Sequence, residues 1–236
     1  MTALVEHLFI PHQGGNLAAR VHWPPGSPKA AVVIAHGLYS SMQSQKLTRL
    51  GLALCRAGHL VLLFDHSGCG DSPGEIARTT VSGRVSEFLA AVGALHKMAP
   101  NLPRVYLGSS LGGSAAILAG AQNPPACTVC WSAPTDFQAL ARGREHRGIA
   151  SDLPEFGPDL ANHDLASVLA RIGRILFVHG DRDETIPVSQ ARHGYKLALD
   201  PKDILIIPGA YHRLTRLEDQ DLAMDRTLAW IERMIG

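Results

Sequence analysis

Short apolar segments alternate with amphipathic segments of helical periodicity along most of the 236 residues, and this alternation most constrains the possible folds. Segments such as Ala30–Ala35 and His59–Phe64 are apolar without interruption, which is typical of strands covered on both faces. Segments such as Ser44–Ala57 and Val81–Met98 have the apolar spacing of helices. A repeating strand–helix order predicts an α/β fold, with a mostly parallel sheet of about eight strands between helices.

The same patterns predict the other elements of the sheet. The remaining strands are expected at Glu6–Pro11, Leu17–Trp23, Arg104–Gly108, Cys127–Ser132, Arg174–His179 and Asp203–Ile207, and the remaining helices at Leu111–Gln122, Pro187–Leu199 and Arg216–Met234. A turn separates the first two strands, which we expect to be antiparallel. Residues 135–173 interrupt the alternation, and only Asp164–Arg171 within them has a helical pattern. We interpret residues 1–236 as a single domain with a lid insertion at about 135–173.

Composition excludes several classes of protein. The 46% of hydrophobic and 18% of charged residues exclude a disordered chain, and a net charge of +1 provides no basic field for nucleic acid or a membrane surface. The first residues lack the segments of a signal peptide, and four cysteines in a chain this long suggest reduced thiols. We therefore expect a cytoplasmic protein with a small-molecule substrate and no nucleic-acid or membrane partner, whose oligomeric state the sequence does not indicate.

The segment Gly108-Ser109-Ser110-Leu111-Gly112 matches the pattern G-x-S-x-G between a predicted strand and a predicted helix. A nucleophilic serine needs this setting, because glycines allow a sharp, strained turn and the helix start directs N–H groups at developing negative charge. A tight turn in which Ser110 only caps the helix is the alternative interpretation.

Carboxylates and a histidine follow two later strands. Asp181 and Asp183 come after the strand that ends at His179, and His212 comes after the strand Asp203–Ile207. The carboxyl ends of parallel strands share one edge of a sheet, so these side chains are expected near Ser110. A serine nucleophile needs a base, and the base needs a carboxylate that orients it.

These segments together resemble the α/β-hydrolase-fold serine hydrolases from about Ala30 to the C-terminus. The matching pieces are His36-Gly37, the loop Asp65–Ser72, GSSLG, HGDRDETIP and GAYH. The resemblance implies Ser110 as nucleophile, His212 as base and Asp183 as acid, with Asp181 as the alternative acid. It also implies an oxyanion hole formed by the backbone N–H groups of Leu38 and Leu111, and it requires no cofactor and no metal.

Within that fold the chain is similar to small carboxylesterases, including bacterial feruloyl and cinnamoyl esterases. The similarity implies ester hydrolysis through an acyl-enzyme, with Tyr39 as a candidate wall or hydrogen-bond partner of the substrate pocket. Three alternatives stay open: a thioesterase, a non-catalytic binding protein on the same fold, and a serine aminopeptidase-like hydrolase. The last would need a group that binds an amine, for which Asp152, Glu155 and Asp159 are candidates.

Several other residues have more ordinary interpretations. His36 and His179 are expected to be structural, and no metal-ligand spacing is found. Cys127 and Cys130 should point to opposite faces of one strand and remain unpaired, whereas Cys69 is a candidate for the edge of the site. The basic group Arg142, Arg144, His146 and Arg147 is either a solvated face or a contact for an acidic substrate.

Overall fold

The computed structural model of the protein describes residues 4–13, 15–144 and 153–236, with the side chains of residues 141–144 excepted. The strands in these ranges are β1 Leu4–Ile10, β2 Leu17–Trp23, β3 Ala31–Ala35, β4 Leu60–Phe64, β5 Arg104–Ser109, β6 Cys127–Trp131, β7 Ile175–Gly180 and β8 Lys202–Ile207. The α-helices are α1 Gln45–Arg56, α2 Val81–Met98, α3 Leu111–Gln122, α4 Phe137–Arg144, α5 Phe156–Leu160, α6 Leu165–Leu169, α7 Ser189–Leu197 and α8 Leu217–Ile235.

The strands form one eight-stranded sheet in the order β1-β2-β4-β3-β5-β6-β7-β8. Strand β2 is antiparallel to both of its neighbours, and the pairs from β4 to β8 are all parallel. The predicted α/β class, the antiparallel first pair and the number of strands are therefore confirmed. This order brings the carboxyl ends of β3, β5, β7 and β8 to one edge of the sheet.

Helices bury both faces of the sheet, which explains why β3 and β4 carry no polar residue. Val33 of β3 packs in the layer that contains α2 and α3, together with Phe88 and Ile117. Its neighbour Ile34 packs in the opposite layer, where α1 and α8 contribute Leu50 and Trp230. Successive side chains of a strand alternate between faces, so an uninterrupted apolar strand supplies both layers.

The insertion between β6 and β7 contains more helix than the sequence indicates. Besides α6, which lies within the predicted segment Asp164–Arg171, the structure has α4 and α5, so the expectation of a single helix there is wrong. Phe137, Phe156 and Leu165 are buried in the layer of α2 and α3. Long-range packing of these side chains, rather than local propensity, therefore holds the short helices.

The remaining sequence expectations have mixed outcomes. Cys127 and Cys130 lie on opposite faces of β6, as expected, and the four cysteines are all free.

No helix in the described ranges is both long and apolar enough to cross a membrane. His146, Arg147 and Asp152 lie outside the described residues, as do the side chains of Arg142 and Arg144. The basic group in the insertion therefore stays a prediction.

Candidate active site

Ser110 occupies a strained turn between β5 and α3. Its φ of 55° and ψ of −127° lie in a region that residues with a side chain rarely adopt, and its N–H donates to the Trp131 carbonyl at 2.7 Å. A Cβ on Gly108 would lie 2.1 Å from the Gly112 carbonyl oxygen, and one on Gly112 would lie 2.5 Å from that of Ala35. The two flanking glycines therefore permit the tight packing of β5, α3 and β3 that holds this turn.

His212 links Ser110 to Asp183. The His212 Nε2 atom lies 3.1 Å from Ser110 Oγ, and its Nδ1 atom lies 2.8 Å from Asp183 Oδ2 and 3.0 Å from Oδ1. A neutral imidazole that donates from Nδ1 to a carboxylate leaves Nε2 free to accept the serine proton. The three side chains come from the ends of β5, β7 and β8, and the arrangement suits removal of a proton from Ser110.

Asp183 is held as a carboxylate by several donors. Its Oδ1 atom accepts the N–H groups of Thr185 and Ile186 at 2.9 and 2.7 Å, and His179 Nε2 lies 3.1 Å from its Oδ2 atom. Burial disfavours the charge, but the hydrogen bonds from His179 and His212 outweigh burial and hold the pKa of Asp183 well below its usual range. Asp183 is therefore ionised when it faces His212.

Asp181, the alternative acid, has a different position. Its Oδ1 atom accepts the Gly209 N–H at 2.6 Å, and its side chain is exposed rather than hydrogen-bonded to His212. The neighbouring Glu184 accepts the backbone N–H of His212 at 3.1 Å. The two carboxylates thus connect the loops after β7 and β8, while Asp183 contacts the imidazole.

The loop after β3 lies directly against Ser110. A Cβ on Gly37 would be 2.8 Å from Ser110 Cβ, so only glycine allows this approach. Leu38 follows Gly37, and Leu111 is the first residue of α3, whose N–H is one that a helix leaves without an intrahelical acceptor. The two predicted oxyanion-hole residues therefore flank Ser110 on separate segments.

His36 supports this loop and is unsuited to act as a second base. Its Nε2 atom accepts the His66 N–H at 3.1 Å, so its proton is on Nδ1, which donates to the Gly37 carbonyl at 2.7 Å. Burial, with the nearby His66 and Arg84, lowers the pKa of His36 well below its usual value. The neutral ring is 1% exposed, and its expected structural role is confirmed.

A cavity of about 320 Å³ opens beside Ser110 and His212. Tyr39 lines it, as expected of a pocket wall, and is 57% exposed. Cys69 does not line it: this thiol is buried, and its Sγ lies 3.4 Å from Arg84 Nη2, so the expectation for Cys69 is wrong. In the described part of the chain, no group of histidines, cysteines and carboxylates is arranged to hold a metal.

The sequence patterns missed two features of the site. Lys46 and Arg213 line the cavity, although each lies on a segment that looks solvent-facing in sequence. His179, expected to be only structural, contacts Asp183. Its position four residues before Asp183 is the one signal that could have indicated this contact, since the intervening turn returns the carboxylate to the strand end.

The chain is similar to known hydrolases in both sequence and fold. A family model described as serine aminopeptidase S33 matches residues 26–151, which include Ser110 but end before Asp183 and His212. A monoacylglycerol lipase of Mycolicibacterium smegmatis is 27% identical over 273 residues, with 96% of each chain covered. A monoglyceride lipase of Homo sapiens is 36% identical over 127 residues, which cover 51% of this chain and 41% of that protein. Est1E of Butyrivibrio proteoclasticus, solved with ferulic acid, has the same fold, with a TM-score of 0.85 at 20% identity over 97% of this chain and 99% of that one.

Proposed function

The chain belongs to the serine aminopeptidase S33 family of α/β hydrolases, and from this membership we propose that it cleaves carboxylic esters through an acyl-enzyme on Ser110. The observation that carries the proposal is the continuous contact from Ser110 Oγ through His212 to Asp183. The similarity to two monoacylglycerol lipases supports an ester as the substrate.

Acylation uses each of these groups once. Ser110 Oγ attacks the ester carbonyl carbon while His212 Nε2 takes the hydroxyl proton, and the carbonyl oxygen becomes an oxyanion. The backbone N–H groups of Leu38 and Leu111 bind that oxyanion, and ionised Asp183 stabilises the imidazolium. The protonated His212 then donates its proton to the leaving alcohol, and the acyl group remains on Ser110.

Deacylation repeats these steps with water. His212 takes a proton from a water molecule as its oxygen attacks the acyl carbon, and the same two N–H groups bind the second oxyanion. Collapse of this intermediate returns the proton from His212 to Ser110 Oγ and releases the carboxylic acid. Tyr39, at the side of the cavity, is the proposed contact for the bound ester.

The surroundings of the cavity favour an ester over an aminopeptidase substrate. None of the described residues that line the cavity is Asp or Glu, and a free α-amino group needs such an acceptor. Glu155 faces Arg78 at 3.9 Å, and Asp159 accepts the hydroxyl of Ser82 at 2.5 Å, so these two of the three candidates for amine binding have other contacts. These contacts support an ester rather than a peptide as the substrate of this chain, although its family is described as serine aminopeptidases.

The proposal is tested by hydrolysis of p-nitrophenyl esters from acetate to decanoate, with thioester and aminoacyl-anilide panels alongside. We expect turnover of esters, and we expect Ser110→Ala to lower kcat at least about 10³-fold because the nucleophile is removed. A fluorophosphonate probe should label the wild-type protein once and leave Ser110→Ala unlabelled.

Ser189→Ala is the matched control, because Ser189 is an exposed serine at the start of α7 that does not line the cavity. It should retain turnover and labelling, and circular dichroism should show that both variants are folded. Preferential turnover of thioesters or anilides would reassign the substrate class. Folded wild-type protein that neither turns over an ester nor reacts with the probe would support a binding protein instead.

A further inference from the structure

The cavity beside Ser110 is lined by groups of one charge sign. Lys46 and Arg213 both line it. Apart from His212, the other polar residues on its described walls are uncharged. Arg213 follows His212 directly in the chain and has an exposed side chain, so its guanidinium is free to approach a bound molecule. The described walls therefore offer positive charge and hydrogen-bond donors without a balancing carboxylate.

Lys46 differs from an ordinary surface lysine. It is half-buried, and its ammonium forms no hydrogen bond or ion pair with any side chain in the described ranges. Burial lowers its pKa to about 8; the charge of Asp183 opposes this effect, and the charge of Arg213 adds to it by a smaller amount. A partly desolvated cation without an acceptor is costly in the free protein, and a bound anion would offset that cost.

The start of α1 adds to the positive character of this wall. Lys46 is the second residue of α1, and Ser44, Gln45 and Lys46 all line the cavity. No acidic residue lies in the first turn of this helix, and the N–H groups of Gln45 and Lys46 precede the first bond of the helix, which the Leu47 N–H donates to the Ser44 carbonyl at 3.1 Å. The Ser44 hydroxyl is shielded from solvent and has no hydrogen-bond partner among the described residues. Ser44 and Lys46 therefore bring groups without a hydrogen-bond partner to the wall of the cavity beside Ser110.

We propose that Lys46, Arg213 and the first turn of α1, together the cationic wall, bind an anionic group of the substrate. The inference deepens the proposed function and rests on it for the bond that is cleaved. The substrate is then an ester that carries a carboxylate or similar anion a few atoms from its scissile carbonyl. The cavity volume of about 320 Å³ lies at the low end for small-molecule sites and suits a short substrate.

The experiment compares anionic and neutral esters of matched length. For an anion on the acyl side, the pair is the umbelliferyl monoester of adipic acid, which is anionic, and umbelliferyl hexanoate, which is neutral. For an anion on the alcohol side, the pair is p-acetoxybenzoate, which is anionic, and its neutral methyl ester, with cleavage followed at the acetyl group. We expect wild-type kcat/KM to favour the anionic member of one pair. The favoured pair shows which half of the ester carries the anion.

Lys46→Met should lower kcat/KM for that anionic ester about 10- to 100-fold, the usual value of a charge-assisted hydrogen bond, and change the neutral ester less than about threefold. Lys46→Arg should restore the preference because it restores the charge. Lys97→Met is the control, because Lys97 is an exposed lysine in the last turn of α2 and does not line the cavity. An anionic-to-neutral ratio that Lys46→Met leaves unchanged would overturn the inference.

A binding measurement separates this inference from the proposed function. Calorimetric titration of adipate and of p-hydroxybenzoate, the anionic products of the two pairs, into Ser110→Ala protein tests the cationic wall without any chemistry. Adding Lys46→Met should weaken binding of the anion that binds by a similar factor. If neutral esters are hydrolysed but neither anion binds, the cationic wall is refuted and the esterase proposal stands. If one of the anions binds and no ester is hydrolysed, the esterase proposal fails and the cationic wall stands.

Discussion

The Nε2 atom of His179 lies 3.1 Å from the same Asp183 oxygen that faces His212 Nδ1 at 2.8 Å. His179 is buried, and its Nε2 also lies 2.8 Å from the Ile186 carbonyl. The carboxylate is thus fixed between two imidazoles, one of which contacts Ser110. Under the proposed mechanism we therefore expect His179 to act as a positioning residue, through Asp183.

Replacing His179 by phenylalanine should lower kcat about tenfold and leave KM nearly unchanged, because Asp183 loses a donor while the cavity keeps its walls. His179→Gln can place an amide donor near the same oxygen and should recover part of the loss. Steady-state kinetics on one ester measure both effects. Wild-type kcat in a folded His179→Phe variant would show that the contact has no part in the reaction.

Glycines at the site should separate loss of activity from loss of stability. A methyl group on Gly37 would push the oxyanion loop away from Ser110, so Gly37→Ala should lower kcat about 10²- to 10³-fold with a smaller effect on unfolding. Gly112→Ala would meet two backbone carbonyl oxygens of the β3 end at 2.5 Å and should lower both kcat and Tm.

The control for these variants is Gly93→Ala. Gly93 lies within α2, and a Cβ there would meet nothing within 4 Å. This substitution should raise the free energy of unfolding by about 0.5–1 kcal/mol, because alanine favours a helix interior, and leave kcat unchanged. Equal effects of Gly37→Ala and Gly112→Ala on Tm would contradict the prediction that only Gly112→Ala strongly destabilises the fold.

The preference for an anionic ester should depend on pH. The pKa of Lys46 is about 8, so its charge is present below that pH and lost as the pH rises through it. The charged or titratable groups around it are Arg213 and His212 from the loop after β8, Asp183 from the loop after β7 and Tyr39 from the loop after β3. We expect the ratio of anionic to neutral kcat/KM to fall between pH 7 and pH 9–10. Lys46→Arg should keep the ratio constant over that range.

Acid stability should depend on Glu87, which is buried against His66. Its Oε2 lies 2.6 Å from His66 Nδ1, and its Oε1 accepts the Ser67 N–H at 3.1 Å. Burial opposes the charge, but the contact with His66 outweighs it and lowers the pKa of Glu87 to about 2. The carboxylate therefore stabilises the fold above its unfolded pKa of about 4.3, and this stability is lost as the pH falls towards 2.

Glu87→Gln cannot contribute this stability. Its free energy of unfolding should be about 1–3 kcal/mol lower than that of wild type at pH 6 and should change less between pH 5 and pH 3. Urea unfolding at several pH values measures both quantities. Wild-type and variant curves that run parallel over this range would refute the role assigned to Glu87.

Local sequence signals were sufficient for most of the sheet and its flanking helices. Helix α2 has its predicted bounds, because Thr80 caps its start through the Gly83 N–H and prolines follow its end. The predicted nucleophile, acid and base are brought together, because each follows a strand of the same parallel sheet. Such positions depend on strand order, which the alternation of elements indicates.

The features that the sequence did not indicate depend on contacts between distant segments. Helix α5 contains Gly157 and Pro158, which disfavour a helix locally, and it forms where Phe156 is buried. Lys46 lies on the polar side of α1, where a sequence pattern indicates solvent, and only the fold brings it near Arg213. Neither arrangement has a local signal that a reader of the sequence could use.

The two sides of α1 bear on how this lineage could change over evolutionary time. Leu47 and Leu50 pack in the core, while Gln45 and Lys46 face the cavity and touch neither the nucleophile nor its base through a hydrogen bond. Substitutions at these two cavity-facing positions leave the core and the bond-breaking groups in place. If the proposed function holds, single substitutions at the helix start would change the substrate of a descendant while each intermediate still folds and keeps Ser110, His212 and Asp183.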